Sequence, residues 1–313
     1  MSAPRLHVRA AGPLVSVQDP GRPGFARFGV PQSGPLDRLA FAAANRALGN
    51  PATAAAIEVS LGGLTVEAEG AALRVAVAGG GFLLRHGARE TGGWQVLTLA
   101  PGAPLTLRPG PWGSWAYLAV AGGLVAPRWL GSAATHWVSG LGGGAVSAGA
   151  VFEIGAPAAP GRVEGPFPCP VLARPTPRLP VTIGPQEGCF SLETLEIFKA
   201  ARWRITPARD RMGTRLAGPA LPIAAALDMP SGPILRGAVQ VSGDGVASVL
   251  TADHQTTGGY PRIATVLDGA LDGFAQLRPG AAIRFEPVTP AVALARARTR
   301  AAAVSRYLAG LAR

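Results

Sequence analysis

Lysine is almost absent from this chain, and its absence excludes several chemistries. Lys199 is the only lysine among 313 residues, and it follows Phe198 inside an apolar helical pattern. A phosphate-binding P-loop needs a lysine between glycine and Ser or Thr, so that motif is excluded. The apolar setting also argues against a Schiff-base lysine or a biotin-carrying lysine. We therefore expect no covalent biotin on this chain.

Cysteine and histidine are similarly scarce. Cys169 and Cys189 are the only cysteines, and there are four histidines. One pair of cysteines in a chain of this length is more typical of two reduced thiols than of a disulfide framework. Four histidines provide too few ligands for a zinc site, so we expect no metal centre.

Charged residues are few, and positive residues outnumber negative ones. They make up 15% of the chain, and the net charge is +11. The arginines are scattered and form no basic run interleaved with aromatic residues, which argues against nucleic-acid binding. Arg74, Arg85 and Arg128 interrupt the apolar runs before these reach the roughly 18 residues that span a bilayer. The N-terminus shows no secretory leader pattern, and we expect a cytoplasmic protein without membrane association.

Turn residues and short apolar segments dominate the remaining sequence. The chain is 48% hydrophobic and contains 43 glycines and 30 prolines, a composition typical of a folded protein with many short strands. Alternation of apolar and polar residues predicts strands at 64–68, 73–78, 94–99, 104–108 and 115–120. The sequence therefore predicts a mainly β protein with a few short helices.

Helical patterns and a proline-rich stretch suggest the domain organisation. Helices are predicted at about 36–48, 192–202 and 291–313, from capping residues and apolar periodicity. The proline-rich residues 156–180 are typical of an interdomain connection. We predict an N-terminal β-barrel domain over 1–160, a second β-barrel domain over 161–290 and a C-terminal helix over 291–313.

Residues 250–264 concentrate most of the side chains that are suited to a functional site. An acid, an imidazole, amide and hydroxyl groups and a phenol occur together, on Asp253, His254, Gln255, Thr256, Thr257 and Tyr260. Gly258 and Gly259 permit a turn or the close approach of a ligand. An Asp-initiated turn between two strands has the same composition. The pattern alone leaves both interpretations open.

Two other segments combine arginine with acids and glycine. In residues 18–22, Arg22 lies in a Pro/Gly loop, where its planar guanidinium suits a carboxylate or a phosphate. In residues 209–216, three arginines surround Asp210 and a glycine turn, which is an anion-binding composition. The structural alternatives are a turn in which Asp19 pairs with Arg22, and a cluster of surface ion pairs at 209–216.

A series of short motifs, taken in order, resembles the allophanate hydrolase subunit 2 family. The motifs are Gln18-Asp19-Pro20-Gly21-Arg22, Ser33-Gly34-Pro35-Leu36-Asp37, Ala44-Asn45, Leu48-Gly49-Asn50, Ala119-Val120-Ala121-Gly122-Gly123, Leu130-Gly131-Ser132, Asp210-Arg211-Met212-Gly213-Thr214-Arg215-Leu216 and Thr256-Thr257-Gly258-Gly259-Tyr260-Pro261. The resemblance extends to 5-oxoprolinase C subunits, to the biotin-dependent carboxyltransferase family and to KipA-like regulators. An ordered set of this length is more specific than any single motif.

This resemblance implies a fold, an activity and partners. The implied fold is a pair of tandem cyclophilin-like β-barrels, and the implied complex contains a LamB/YcsF-like A subunit and a KipI-like B subunit. The implied reaction is ATP-dependent opening of 5-oxoproline to L-glutamate, with ATP bound in the complex and the chain inactive alone. ATP would convert the unreactive lactam into a phosphorylated lactam that water can attack.

Two alternatives to this activity stay open. The first is a carboxyltransferase that acts on carboxybiotin and urea or a similar amide. The sequence shows neither a biotin-attachment segment nor a biotin carboxylase domain, so this activity would require both on other polypeptides. The second alternative is a regulator that binds a kinase-inhibitor protein.

By the same resemblance, both halves of the chain contribute site residues. The expected catalytic residues are Asp253, Gln255 and Tyr260, and the expected substrate-binding or anion-binding residues are Gln18, Asp19, Arg22, Asp37, Arg211, Arg215, Thr256, Gly258 and Gly259. From the chemistry of their side chains, Asp253 or His254 would move protons, while Tyr260 would orient a ligand. Arg22 and Arg211 would hold phosphate or carboxylate. His254 replaces the basic or small residue that is usual at this position, so it inherits no family role.

Overall fold

The computed structural model describes residues 4–224 and 229–311, which form two compact units. Unit 1 takes in residues 4–22, 33–174 and 304–311, and unit 2 takes in 23–32, 175–224 and 229–303. The main division follows Arg174, inside the proline-rich stretch, whereas the sequence prediction places the first boundary at 160. The predicted domain limits at 160 and 290 stay predictions.

Unit 1 contains two six-stranded sheets and the helix α1. Its elements are β1 (Arg5–Ala11), β2 (Ser16–Gln18), α1 (Arg38–Ala47), β3 (Ala56–Val59), β4 (Leu64–Glu69), β5 (Leu73–Gly79), β6 (Leu83–His86), β7 (Arg89–Gly92), β8 (Gln95–Leu99), β9 (Pro104–Arg108), β10 (Ala116–Val120), β11 (Val151–Glu153) and β12 (Gly165–Pro166). The strand order is β11-β1-β4-β9-β6-β7 in one sheet and β12-β8-β5-β10-β3-β2 in the other. Neighbouring strands pair antiparallel.

Alternating residues explain how the two sheets enclose a core. In β4, Leu64, Val66 and Ala68 are buried, while the polar residues between them are half-buried. Side chains of the second sheet, including Val75 and Leu118, belong to the same buried cluster. Burial of a Val or Leu side chain stabilises the folded state by about 1.5–3 kcal/mol. The alternating pattern therefore fixes which face of each sheet points inward.

Strand β10 is buried on both faces because α1 covers the second sheet. Leu118 points into the core between the sheets, whereas Tyr117 belongs to a cluster with α1. The rings of Tyr117 and Phe41 meet edge to face with centroids 5.9 Å apart. The helix begins after its N-cap Asp37 and is followed by Gly49, whose φ of 72° is a left-handed conformation that favours glycine. A polar N-cap and a C-terminal glycine therefore set the limits of α1.

Unit 2 contains a closed barrel of seven strands. Its elements are β13 (Arg178–Ile183), α2 (Leu192–Ala200), β14 (Trp203–Arg209), β15 (Gly213–Ala217), β16 (Gly232–Pro233), β17 (Ala238–Val241), β18 (Ala247–Leu250), β19 (Thr257–Gly258), β20 (Arg262–Val266), α3 (Asp268–Gln276), β21 (Ala282–Pro287) and α4 (Pro290–Gly310), of which α4 continues into unit 1. The order around the barrel is β13-β20-β17-β18-β15-β14-β21. A parallel pair of β21 with β13 closes it, and the other barrel pairs are antiparallel.

Apolar side chains from several elements form one buried cluster in unit 2. Phe198 and Phe285 stack with ring centroids 4.6 Å apart, and Trp203 lies against both. Phe198 comes from α2, which begins where the Ser191 hydroxyl accepts a hydrogen bond from the Thr194 N–H at 3.1 Å. Capping of α2 therefore holds one wall of the aromatic core in place.

The structure confirms the mainly β class with a few helices. Helices α1 and α2 lie close to their predicted positions, and α4 matches the predicted C-terminal helix up to Gly310, whereas residues 312 and 313 lie outside the described residues. The sequence pattern does not predict α3, because Gly269 and Gly273 obscure its periodicity. Within residues 4–224 and 229–311, every helix falls short of the length and apolar character that crossing a membrane requires.

Candidate functional site

A cleft of about 660 Å³ lies on unit 2, where β15, β17 and β18 meet the segment at 251–261. Its lining residues are Ala208, Met212, Gly213, Thr214, Arg215, Gln240, Ser242, Gly243, Asp244, Ser248, Leu250, Gln255 and Tyr260. Three predicted site residues, Arg215, Gln255 and Tyr260, are therefore brought together here. The volume is in the range of small-molecule pockets, and the lining combines apolar side chains with hydroxyl and amide groups.

A pair of amides forms part of the cleft lining. The Nε2 of Gln255 donates a hydrogen bond to the Oε1 of Gln240 at 3.0 Å, and Gln240 is only 6% exposed. Gly258 packs directly against this pair: a Cβ there would lie 2.6 Å from Cδ1 of Ile234 and 3.1 Å from Nε2 of Gln240. A side chain at Gly258 would displace Ile234 or Gln240, and the predicted binding role of this glycine stays a prediction.

The exposed edge of the cleft carries an ion pair. The Nη2 of Arg215 donates to Oδ2 of Asp244 at 2.7 Å, and both side chains are about half exposed. The Ser242 hydroxyl also donates to Asp244, and this hydrogen bond is the main cause that lowers the pKa of Asp244. An exposed pair of this kind is weak, and the anion-binding role of Arg215 stays a prediction.

Tyr260 and His254 differ in how they are placed. Tyr260 is 50% exposed and lines the cleft, where its phenol can contact a ligand. His254 does not line the cleft, and its Nδ1–H donates to the backbone oxygen of Gln255 at 2.7 Å. Burial lowers the pKa of His254, which favours the neutral imidazole. His254 therefore supports the backbone beside the cleft.

Arg211 and Asp253 pair with each other and do not line the cleft. The Nε and Nη2 of Arg211 donate to Oδ2 and Oδ1 of Asp253, each at 3.0 Å, and neither side chain is exposed. The backbone oxygen of Arg211 also accepts hydrogen bonds from the Asp253 N–H and the Thr251 hydroxyl, both at 2.7 Å. These contacts tie the segment at 251–256 to the turn at 210–213. The proton-transfer role of Asp253 and the anion-binding role of Arg211 stay predictions.

The three arginines at 209–215 have three different environments. The guanidinium of Arg209 donates to the backbone oxygens of Ala275 and Leu277 at the end of α3, and burial lowers the pKa of Arg209 to about 10. Arg211 is paired with Asp253, and Arg215 lies at the surface. Of the three, only Arg215 lines the cleft. The arginine cluster seen in the sequence is therefore divided among a helix cap, a buried ion pair and an exposed residue.

The remaining binding residues of unit 2 flank the cleft. Thr256 is buried, and its backbone oxygen accepts a hydrogen bond from the Ile234 N–H at 2.9 Å. Gly258 pairs with Gly232 in the small β16–β19 sheet. A Cβ at Gly259 would lie 3.3 Å from the backbone oxygen of Met229. These residues shape the segment that carries Gln255 and Tyr260.

In unit 1, Asp19 connects two loops. Its carboxylate accepts hydrogen bonds from the N–H groups of Gly21, Ala133 and Ala134 at 2.9, 2.7 and 3.1 Å. The Ser132 hydroxyl donates to the same carboxylate. With this many donors, Asp19 serves as a structural anchor for the loop at 128–135.

Arg22 and Gln18 hold the same loop. The guanidinium of Arg22 lies 5.0 Å from the ring centroid of Trp129 and donates to the backbone oxygens of Trp129 and Ala134. The Nε2 of Gln18 donates to the Thr135 oxygen at 3.3 Å. The structure thus brings Gln18, Asp19 and Arg22 together, in contacts that organise the loop. Their predicted ligand-binding roles stay predictions.

Asp37 belongs to a separate buried network in unit 1. Its Oδ1 accepts from the Ala40 N–H at 2.9 Å as the N-cap of α1, and its own N–H donates to the Tyr117 oxygen at 2.8 Å. The Tyr117 hydroxyl donates to Oε2 of Glu58 at 2.7 Å. Burial and then the charge of Glu58 raise the pKa of Tyr117. Asp37 therefore contributes to helix capping, and its binding role stays a prediction.

Several cleft residues are not predicted by the sequence pattern. Gln240 and Ser248 lie opposite each other in the β17–β18 pair, and Thr214, Ser242 and Asp244 complete the polar lining. The only sequence feature that indicates these cleft residues is a set of polar residues that interrupt the apolar run at 239–250. That signal is weak, because an exposed strand face has the same pattern.

Known proteins share this architecture. The family model described as carboxyltransferase domain, subdomain A and B, matches residues 28–287. The C subunit of the Escherichia coli (strain K12) 5-oxoprolinase is 34% identical over 284 residues, which cover 90% of this chain and 90% of that protein. The C subunit of the Haemophilus influenzae 5-oxoprolinase is 32% identical over 279 residues, 88% of each chain.

A solved structure gives a second view of the similarity. The Kluyveromyces lactis urea carboxylase superposes with a TM-score of 0.87 at 28% identity. The match covers 98% of this chain but only 29% of the urea carboxylase. The chain therefore spans less than a third of that protein, whereas it spans most of the two bacterial proteins.

Proposed function

The chain belongs to the carboxyltransferase domain family, subdomains A and B, and from this membership we propose that it is the C subunit of a 5-oxoprolinase. Together with A and B subunits, it would open the lactam ring of 5-oxo-L-proline to give L-glutamate. The observation that carries this proposal is the similarity to two 5-oxoprolinase C subunits along most of their length.

The chemistry of the unit 2 cleft supports this substrate class. 5-Oxoproline presents a lactam carbonyl, a lactam N–H and a carboxylate on a small ring. The cleft offers amide and hydroxyl groups for the lactam, and Arg215 at its edge for the carboxylate. Tyr260 would orient the ring, with its half-exposed phenol facing the ligand. In this proposal the Tyr260 phenol positions the substrate and does not transfer a proton.

ATP would supply the activation that an amide carbonyl needs before water can attack it. Three cations that could hold a phosphate are already engaged within this chain. Arg22 donates to backbone oxygens, Arg211 is paired with Asp253, and Lys199 is paired with Glu196 on α2. We therefore place the ATP site on another subunit, and we assign substrate binding to this chain.

A carboxyltransferase is the second candidate. It is favoured by the description of the family and by the urea carboxylase structure. Urea is also a small amide, so the same cleft would suit it. In this case the carboxyl group would come from carboxybiotin carried by another polypeptide.

Reconstitution distinguishes the two candidates. We would co-express the chain with candidate A and B subunits and measure ATP-dependent glutamate release from 5-oxoproline, with urea as the competing substrate. We would test the same chain with a biotin carboxylase and its biotin carrier, and measure urea-dependent ATP hydrolysis. If only 5-oxoproline supports activity, the 5-oxoprolinase function is supported. If only urea supports activity, the 5-oxoprolinase function is overturned.

Two tyrosine variants connect that activity to the cleft. Tyr260→Phe removes a hydroxyl from the cleft, and we expect kcat/KM to fall by about tenfold, as for loss of one substrate hydrogen bond. Tyr307→Phe is the matched control, because its hydroxyl donates to the Pro168 oxygen in unit 1. Equal effects of the two variants would argue against the cleft as the site.

A further inference from the structure

Gln240 has a donor with no acceptor. Its side chain is 6% exposed on β17 and lines the unit 2 cleft. Among the residues that the structure describes, none accepts a hydrogen bond from its Nε2. A buried amide N–H without an acceptor destabilises a fold. Its retention in a residue that lines a cleft points to an acceptor supplied by a ligand.

The neighbouring residues fix the direction of this donor. The Nε2 of Gln255 donates to Oε1 of Gln240 at 3.0 Å, which occupies the acceptor side of the Gln240 amide. The backbone oxygen of Gln255 in turn accepts the His254 Nδ1–H at 2.7 Å. These two contacts hold Gln255 by its backbone and Gln240 by its amide oxygen, so the NH₂ of Gln240 is the group left for a ligand. His254 and Gln255 then act as positioning residues.

Gly258 lies beside this donor, which is buried. A Cβ at position 258 would lie 3.1 Å from the Nε2 of Gln240, close to the place where an acceptor would bind. Ser248 lies opposite Gln240 in the strand register and also lines the cleft. The surroundings of Nε2 are therefore small or neutral, whereas Arg215 is paired with Asp244 at the exposed edge.

A neutral amide donor discriminates between ligand groups. It satisfies one lone pair of a neutral carbonyl, but it provides no charge to balance a buried phosphate or carboxylate. We propose that Gln240 is the specificity-determining residue of this cleft, and that its Nε2 binds the carbonyl oxygen of a small amide or lactam. The identification of that oxygen with the lactam oxygen of 5-oxoproline rests on the proposed function.

The first test measures binding and does not require activity. The side-chain NH₂ signal of Gln240 is identified in a ¹H–¹⁵N spectrum of the full chain by its loss in Gln240→Glu or Gln240→Met. The chain is then titrated with 5-oxoproline, with 2-pyrrolidinone, which has the lactam but no carboxylate, and with L-proline, which has the carboxylate but no lactam carbonyl. We expect the signal to shift with both lactams and not with L-proline. An equal shift with L-proline, or no shift with any of the three, would overturn the proposal.

The second test uses the reconstituted complex. Gln240→Glu keeps an oxygen that accepts from Gln255 but replaces the donor, and we expect KM for 5-oxoproline to rise about tenfold with a smaller change in kcat. The control is Gln276→Glu, which changes a buried glutamine of α3 outside the cleft lining. Melting curves of Gln240→Met and Gln240→Glu report whether each variant folds.

The outcomes separate this inference from the proposed function. An active wild-type complex whose Gln240→Glu variant keeps an unchanged KM would overturn the role of Gln240 and leave the oxoprolinase function standing. A wild-type complex that is inactive on 5-oxoproline would overturn the proposed function. In that case the titration with 2-pyrrolidinone still decides whether Gln240 binds a lactam carbonyl.

Discussion

Both carboxylate oxygens of Asp253 accept hydrogen bonds from the guanidinium of Arg211, each at 3.0 Å, and neither side chain is exposed. The pair joins the segment that carries Gln255 and Tyr260 to the turn between β14 and β15. Two opposite charges that are buried together each require the other, because removal of one leaves an uncompensated charge. The geometry therefore gives this pair a supporting role, because it holds together two segments that contribute residues to the cleft lining.

Removal of either Arg211 or Asp253 should strongly reduce the stability of the folded chain. We expect Asp253→Asn or Arg211→Met to lower the free energy of unfolding by about 3–5 kcal/mol, measured by urea denaturation. The double variant should lose much less than the sum of the two single losses. Arg296→Met serves as control, because the Arg296–Glu286 pair is nearly half exposed and should contribute about 0–1 kcal/mol. Additive losses in the double variant would show that the two residues do not stabilise each other.

Asp19 should anchor the loop at 128–135. We expect Asp19→Ala to lower the free energy of unfolding by about 3 kcal/mol, because several donors lose a charged acceptor. Amide hydrogen exchange at Ala133 and Ala134 should become faster, since both N–H groups donate to Asp19. Arg128→Met is the control: Arg128 lies 3.4 Å from Asp19 but is half exposed, and its loss should have little effect. Unchanged exchange at Ala133 and Ala134 in Asp19→Ala would contradict the anchoring role.

The capping role of Asp37 can be separated from a ligand role. We expect Asp37→Ala to lower the free energy of unfolding by about 1 kcal/mol. Asp37→Ser should retain most of that free energy, because serine also caps helices. Thermal melting of the two variants measures the difference. If Asp37→Ser is stable yet the reconstituted complex loses activity, Asp37 has a role in the reaction beyond the cap.

The buried imidazole of His254 should make stability depend on pH. Burial lowers the folded-state pKa of His254 below the ordinary value of 6.5, so the unfolded chain binds its proton first as the pH falls. The contribution to stability is present above about pH 6.5 and is lost on acidification. We expect His254→Gln to reduce the fall in the free energy of unfolding between pH 7.5 and pH 5.5. His86→Gln leaves His254 in place and should keep the wild-type pH dependence, and an identical profile for both variants would contradict this assignment.

The local pattern of the sequence predicts much of the fold. Alternating apolar residues place β4, β5 and β9 correctly, because the side-chain period of a strand is visible in a few residues. The parallel pair of β13 with β21 is not predictable in this way, since its partners are remote in sequence and their register depends on the closed barrel. The glycines of α3 similarly hide a helix that tertiary packing stabilises.

The candidate site is predicted only in part. Gln255 and Tyr260 are found because polar side chains are concentrated around them. Gln240 is missed because one polar residue in a strand is equally typical of an exposed face. The sequence also identifies Arg211 and Asp253 but cannot show that each satisfies the other, because their pairing is a property of the folded barrel.

The rate of ATP-dependent glutamate release from 5-oxoproline tests the central claim most directly. It should be measured with the A and B subunits alone and again after addition of this chain. We predict that release occurs only after the chain is added and that Tyr260→Phe reduces it while Tyr307→Phe does not. Full release by the A and B subunits without this chain would contradict its assignment as the C subunit.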